Sequence, residues 1–166
     1  MRTFLLEREQ FIPRPLAEVF PFFADAANLQ AITPAFLDFR FLTTLPIEMR
    51  PGTLIDYQIK LFGLPLKWRT RIEEFEPPHR FADVQVRGPY KLWHHTHEFR
   101  EVEGGTLMTD RVRYQLYLGP LGWLAHVLWV RRTLARIFDH RWQTIERLLC
   151  GDPKPPPALV VYDGTA

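Results

Sequence analysis

Hydrophobic and polar positions divide the chain into three stretches with different periods. Residues 2–12, RTFLLEREQFI, read as a strand that stops at Pro13. Pro15 then suits the first turn of a helix, where its missing N–H has no bond to lose. Leu16, Val19, Phe20 and Phe23 follow at helical spacing. Asp25 offers a cap for a second short helix through Asn28, Leu29 and Ile32, which stops before Pro34. From residue 36 to 118 the period becomes two. Strands are predicted at 36–45, 53–62, 67–75, 80–87, 91–102 and 106–117, parted by Pro46–Gly52, Gly63–Pro65, Pro77–His79, Gly88–Pro89 and Gly104–Gly105. Connections this short join antiparallel neighbours, so the strands form a meander. Beyond Gly119-Pro120 a helix is predicted over 120–149, with Val127, Val130, Leu134, Phe138, Ile145 and Leu149 as its apolar stripe. Gly151 and Pro153 end it.

These elements make one α+β domain over residues 1–150. It has a seven-stranded curved antiparallel sheet, two short helices after strand one, and a long C-terminal helix. The helix has to bury its stripe against one sheet face. A strongly curved sheet wrapped around a helix leaves space between the two, so the expected architecture is a container. Residues 151–166, with their KPPPA run, read as a Pro-rich flexible tail. Its LVVYDGTA end stays open between disorder and docking as an edge strand.

Composition narrows the function. Thirteen Phe, five Trp and five Tyr serve either an ordinary core or the wall of an apolar pocket. Against 19 Asp and Glu stand 21 Lys and Arg, a net charge of +2. That lacks the clustered basic surplus that phosphates demand, so no nucleic-acid partner is expected. The single Cys150 rules out an internal disulfide and fits a reducing, cytoplasmic setting. No apolar run approaches the roughly 18 residues of a membrane span. MRTFLLEREQ is too soon charged for a secretory leader, so a cytoplasmic protein is expected. The chain contains no Ser, no G-x-G-x-x-G, no Walker loop and no Cys-rich metal spacing. Serine nucleophiles are excluded, and no cofactor is expected.

Candidate chemistry gathers on the 91–117 hairpin. If Gly104-Gly105 is a two-residue turn, Phe99 faces Asp110, His97 faces Val112, His95 faces Tyr114 and Trp93 faces Leu116. Period two then puts Trp93, His95, His97, Phe99, Asp110 and Tyr114 on one face; Arg100, Thr109, Arg111 and Arg113 on the other read as solvent. The mixed face therefore points inward. Buried His and Asp are costly unless paired or wetted, and Asp83 and Gln85 on the preceding strand are candidate partners. Three readings stay open. The patch orients a ligand, or it is a structural network beneath the helix, or His95, His97, Asp83 and Asp110 serve as general acids and bases. His95-x-His97 also has the spacing of two metal ligands, with Asp83 or Asp110 as the third. No independent signal supports an ion, so no metal is expected.

Trp68 alternates with Arg69 and Arg71 and so turns inward, as do Tyr57 and Ile59, as cavity wall or core. Residues 121–132, LGWLAHVLWVRR, are apolar nearly all round and then basic. They read as a buried helix end, a pocket gate, or a patch for transient membrane contact.

Several segments together resemble a known superfamily. They are PLAEVFPFFADAANLQAITP at 15–34, GTLIDY at 52–57, Trp68, FADVQVRGPY at 81–90, WHHTHEF at 93–99 and GGTLMTDRVRY at 104–114. The chain resembles the START-like, helix-grip superfamily over residues 1–149, in its bacterial polyketide cyclase/dehydrase-like ligand-binding branch. The resemblance implies a hydrophobic cavity between sheet and long helix. It does not imply one activity, since the superfamily includes carriers, receptors and enzymes. The expected partner is a small hydrophobic or amphipathic molecule that is lipid-, polyketide- or aromatic-like; the alternative is a cyclase or dehydratase. From the earlier strands, Tyr57, Trp68, Asp83 and Gln85 are expected to touch it. Trp93, His95, His97, Phe99, Asp110 and Tyr114 join them from the hairpin, and Val127, Leu134 and Phe138 from the helix.

Overall fold

The computed structural model describes residues 2–61, 63–151 and 154–164. β1 (Thr3–Ile12) buries Phe4, Leu6, Arg8, Gln10 and Ile12 on one face. α1 (Leu16–Ala24) buries the four residues that its spacing predicts. Asp25 accepts a hydrogen bond from the Ala27 N–H and so opens a 3-10 turn at Ala26–Leu29. A second such turn, Ala35–Leu37, leads to β2 (Arg40–Phe41). The meander follows: β3 (Leu54–Leu61), β4 (Leu64–Glu76), β5 (Arg80–Arg87), β6 (Leu92–Val102) and β7 (Gly105–Gln115).

The C-terminal helix, 119–150, combines α2 (Gly119–Ala125), a π-helical turn at His126–Val130, α3 (Arg131–Ile145) and a second π-helical turn at Glu146–Cys150. β8 (Val160–Gly164) completes the sheet. Every strand pair is antiparallel, in the order β2-β3-β4-β5-β6-β7-β1-β8. The sheet curves around the long helix, a helix-grip fold of the α+β class. Phe20, Phe23, Phe81, Phe99 and Met108 form one core beneath α1, and Phe4, Leu6, Val112, Leu134 and Phe138 form another beneath α3. Among the described residues, no helix is long and apolar enough to cross a membrane.

Four details correct the sequence reading. The stretch 36–45 is not a continuous strand. Asp38 takes the left-handed backbone region (φ 41°), which breaks the extended run, and its carboxylate meets Arg40 at 3.1 Å and Lys60 at 2.9 Å. The sheet has eight strands rather than seven, because Val160–Gly164 pairs with β1, Leu6 opposite Val161. The end of the predicted flexible tail is thus an edge strand.

The hairpin turns one residue early, at Glu103-Gly104, so that Val102 opposes Gly105. Phe99 then faces Met108, His97 faces Asp110, His95 faces Val112 and Trp93 faces Tyr114. Gly104 supplies the positive φ (80°) that the turn requires. Gly105 opens β7, and the position has to be glycine because a Cβ there would collide with the Ile12 carbonyl oxygen. The register moves by two residues, which leaves every side chain on its predicted face. Finally, Leu134, Phe138 and Ile145 of the helical stripe are buried, but Val127 is 46% exposed. The π-helical turn places an extra residue in that stretch of helix, and His126 faces inward instead.

Candidate functional site

A cavity of about 220 Å³ lies between the sheet and α3. Alternation along β6 sends Trp93, His95 and His97 to the same concave face, and the antiparallel pairing of β3 with β4 sets Tyr57 beside Trp68. The result is a continuous wall of rings. Tyr57 stacks on Trp68 at 5.9 Å between centroids, and Trp68 meets Trp93 edge-on at 5.6 Å. His95 and His97 are 3.9 Å apart, and His97 stacks on Phe81 at 4.2 Å. Leu134, Ile137 and Phe138 of α3 close the opposite side.

Trp68 is buried in this wall, and its indole N–H has no hydrogen-bond partner among the described residues. A buried donor left this way costs about 1–3 kcal/mol. Tyr57 and Tyr90 also line the wall, and burial raises both phenol pKa values, so they stay protonated.

The cavity has one polar end. Asp110, only 5% exposed, lies behind the imidazoles. Its carboxylate accepts from Arg141 Nε at 2.7 Å and Nη2 at 3.2 Å. Asp110 Oδ1 is also 3.1 Å from His95 Nε2 and 2.8 Å from His97 Nδ1. On the cavity side, Asp83 Oδ2 is 3.3 Å from His97 Nε2 and 3.9 Å from His95 Nδ1.

Burial alone would raise the Asp110 pKa, but Arg141 and the two imidazoles hold it well below the usual carboxylate range. Burial, then the neighbouring His97, pulls His95 below the ordinary histidine value. Burial pulls on His97 too, yet Asp110 and Asp83 outweigh it, and its pKa lies above that value. The two imidazoles on the cavity wall are thus shifted in opposite directions, His95 giving up a proton more readily than His97. That arrangement can donate and accept hydrogen bonds, or protons, at one end of an apolar occupant. Among the described residues, Asp83, His95 and His97 also present three ligand atoms within 4.8 Å of one another, a group that could hold a metal ion.

Of the residues singled out from sequence, Tyr57, Trp68, Asp83, Trp93, His95 and His97 reach the cavity, with Leu134 and Phe138. The others lie elsewhere. Phe99 belongs to the core against Phe20 and Phe23. The Gln85 side chain bonds the Tyr90 backbone and fixes the β5–β6 loop. The Tyr114 hydroxyl meets His126 at 2.8 Å, and Asp110 stands behind the wall.

Sequence reasoning missed Arg141 and Tyr90. Arg141 had a readable signal: with Leu134, Phe138 and Ile145 it continues the 4-3-4 spacing of the buried stripe. A cation on such a stripe requires a buried anion opposite it.

Comparison with known proteins gives a consistent answer. A family model described as polyketide cyclase/dehydrase and lipid transport matches residues 12–139. No curated protein matches the chain. Among solved structures, TTHA0849 from Thermus thermophilus is similar with a TM-score of 0.63 and 19% identity, covering 86% of this chain and 94% of that one. Ginseng major latex-like protein 151 from Panax ginseng has a TM-score of 0.54 and 16% identity, covering 80% and 95%. A nucleoside-diphosphate sugar epimerase from Corynebacterium glutamicum is 27% identical with a TM-score of 0.61, covering 86% of this chain and 28% of that longer one. The match over most of the chain and the shared helix-grip fold agree with the cavity geometry: this chain belongs to the polyketide cyclase/dehydrase and lipid transport family, within the START-like superfamily.

Proposed function

We propose that this protein binds and carries a small amphipathic molecule with an apolar, ring- or chain-like body and an oxygen acceptor. The carrying observation is the buried Trp68 N–H, without a partner among the described residues, in a wall made mostly of apolar and aromatic side chains, with Asp83, His95 and His97 at the same cavity's polar end. A bound acceptor would satisfy that donor. Apolar cavities of about 150 Å³ admit a benzene-sized guest, so about 220 Å³ suits an occupant of roughly one or two rings or a short chain.

Loading is supported by the surface. Leu118, Leu121, Trp123, Leu124 and Trp129 are exposed beside Arg131 and Arg132. Leucine and tryptophan rimmed by arginine suit the interface of an anionic lipid surface. The α3 residues that line the cavity begin directly after this patch, at Thr133 and Leu134.

The test follows a fluorescent aromatic fatty-acid analogue moving from phosphatidylserine-containing vesicles to the protein, beside native mass spectrometry of the purified chain. We expect one probe per chain. Leu134→Trp should abolish uptake by filling the cavity, and Leu121→Asp should slow transfer while leaving equilibrium affinity intact. No uptake, or uptake indifferent to Leu134→Trp, overturns the carrier reading.

A second reading, a cyclase or dehydratase, is supported by the paired His95 and His97 with opposite pKa shifts on the cavity wall. Extracted ligand settles the choice. A molecule recovered unaltered after incubation fits carriage, and a dehydrated or cyclised product fits the enzyme.

A further inference from the structure

The same polar end has a geometry that ligand orientation does not require. His95 and His97 each direct one ring nitrogen to Asp110 and the other toward Asp83. Asp110 Oδ1 is 3.1 Å from His95 Nε2 and 2.8 Å from His97 Nδ1, and Arg141 holds the same carboxylate from behind. A neutral imidazole has a single ring proton. When a carboxylate takes that proton as a hydrogen bond, the other nitrogen is left with its lone pair outward, as in metal-bound histidines with an outer carboxylate. Here Asp110 Oδ1 lies within 3.1 Å of one nitrogen of each ring, and Arg141 Nη2 also approaches His97 Nδ1, at 3.3 Å. With each ring proton on the Asp110 side, the lone pairs would be on His95 Nδ1 and His97 Nε2, which lie 3.9 Å and 3.3 Å from Asp83 Oδ2.

Charge points the same way. The cluster holds two carboxylates, Asp83 and Asp110, and one guanidinium, Arg141, which is paired to Asp110, so one further positive charge is needed. An extra proton or a cation supplies it. Bonds of about 2.0–2.1 Å to nitrogen and oxygen set donor atoms about 3.3 Å apart in a tetrahedral site. The 3.3 Å pair already has that separation, and all three atoms fall within 4.8 Å. Two imidazoles with one carboxylate favour a transition metal over magnesium or calcium, which prefer all-oxygen shells.

We propose that Asp83, His95 and His97 bind one divalent transition-metal ion, with Asp110 as the outer carboxylate that orients both histidines and the open coordination position facing the cavity. The ion would meet an oxygen of the occupant, a carboxylate, enol or phenol, at the polar end. This site stands whether or not the carrier reading holds, because the metal is measured on ligand-free protein.

The experiment uses the full chain, stripped of metal by chelation and of lipid by extraction. Zn²⁺ is titrated calorimetrically, and Co²⁺ is followed by its visible d–d absorption. We expect one Zn²⁺ per chain and Co²⁺ bands of a low-coordinate site. Asp83→Asn and His95→Asn should each abolish stoichiometric binding. Asp110→Asn should weaken it about 10–100-fold while retaining the Co²⁺ bands. His94→Asn, whose ring pairs with Glu73 outside the cluster, should change nothing. Near-ultraviolet circular dichroism reports whether each variant keeps its fold. A folded wild-type chain that binds no Zn²⁺, or binding that survives both Asp83→Asn and His95→Asn, overturns the site, and the wild-type titration decides even if a variant fails to fold.

Discussion

Asp110 shows how much of this interior depends on one carboxylate. Arg141, His95 and His97 all converge on it, and none is exposed to bulk water. Removing one partner of a buried ion pair strands the other, at a cost of about 3–5 kcal/mol. Asp110→Ala is therefore expected to destabilise the fold by about that amount, read as a lower urea midpoint with an unchanged slope. A loss under about 1 kcal/mol would mean that water already solvates Arg141. The inward turn of Asp110 was legible, because it shares a parity with Met108, Val112 and Tyr114. Its bond to Arg141 was not: helical spacing places Arg141 on the buried stripe, but only the docking of α3 selects which anion it meets.

At the scale of elements, the π-helical turn after α2 sets His126 against β1 and β7. The ring stacks on Phe4 at 3.7 Å and meets the Tyr114 hydroxyl at 2.8 Å. Arg131 of α3 and Asp163 of β8 are the charges around it. Burial, then Arg131, lowers its pKa from the ordinary 6.5, against a smaller opposite pull from Asp163. The unfolded chain therefore takes up the proton more readily than the folded one. Stability is full above 6.5 and falls as pH drops from there toward the folded-state pKa. His126→Gln keeps a hydrogen-bond partner for Tyr114 but cannot titrate in this range. Its melting temperature should fall less than the wild type's between about pH 7.5 and pH 5.5. Equal falls would remove His126 as the cause.

Across the whole molecule, β8 closes what would otherwise be an exposed edge at β1. Val161 and Leu159 pack against the second core, Arg8 donates to the Pro157 carbonyl, and the Trp142 indole donates to that of Lys154. A chain truncated after Gly151 loses these contacts and exposes the unpaired polar groups of β1. It should melt at lower temperature by calorimetry and associate on size exclusion, since bare strand edges template pairing. An unchanged melting temperature and a monodisperse profile would show that β8 contributes nothing to stability.

In β1, α1, β6, β7 and α3 the sequence by itself determined which residues face inward, although the π-helical turn at His126–Val130 escaped it. Periods of two and of 3.6 are properties of local backbone geometry, so they survived even a two-residue error in the hairpin register. It also determined the order of elements, since prolines and glycines stop strands and helices whatever surrounds them. Tertiary structure alone decided which inward residues border a cavity and which fill a core. Phe99 and Trp93 share a face of β6, yet one packs beneath α1 and the other lines open space. That distinction depends on the distance between sheet and helix at each position, and the docking of remote segments sets that distance. The β5–β6 register decided the pairing of Asp83 with two histidines, and docking against β1 converted a tail into an eighth strand.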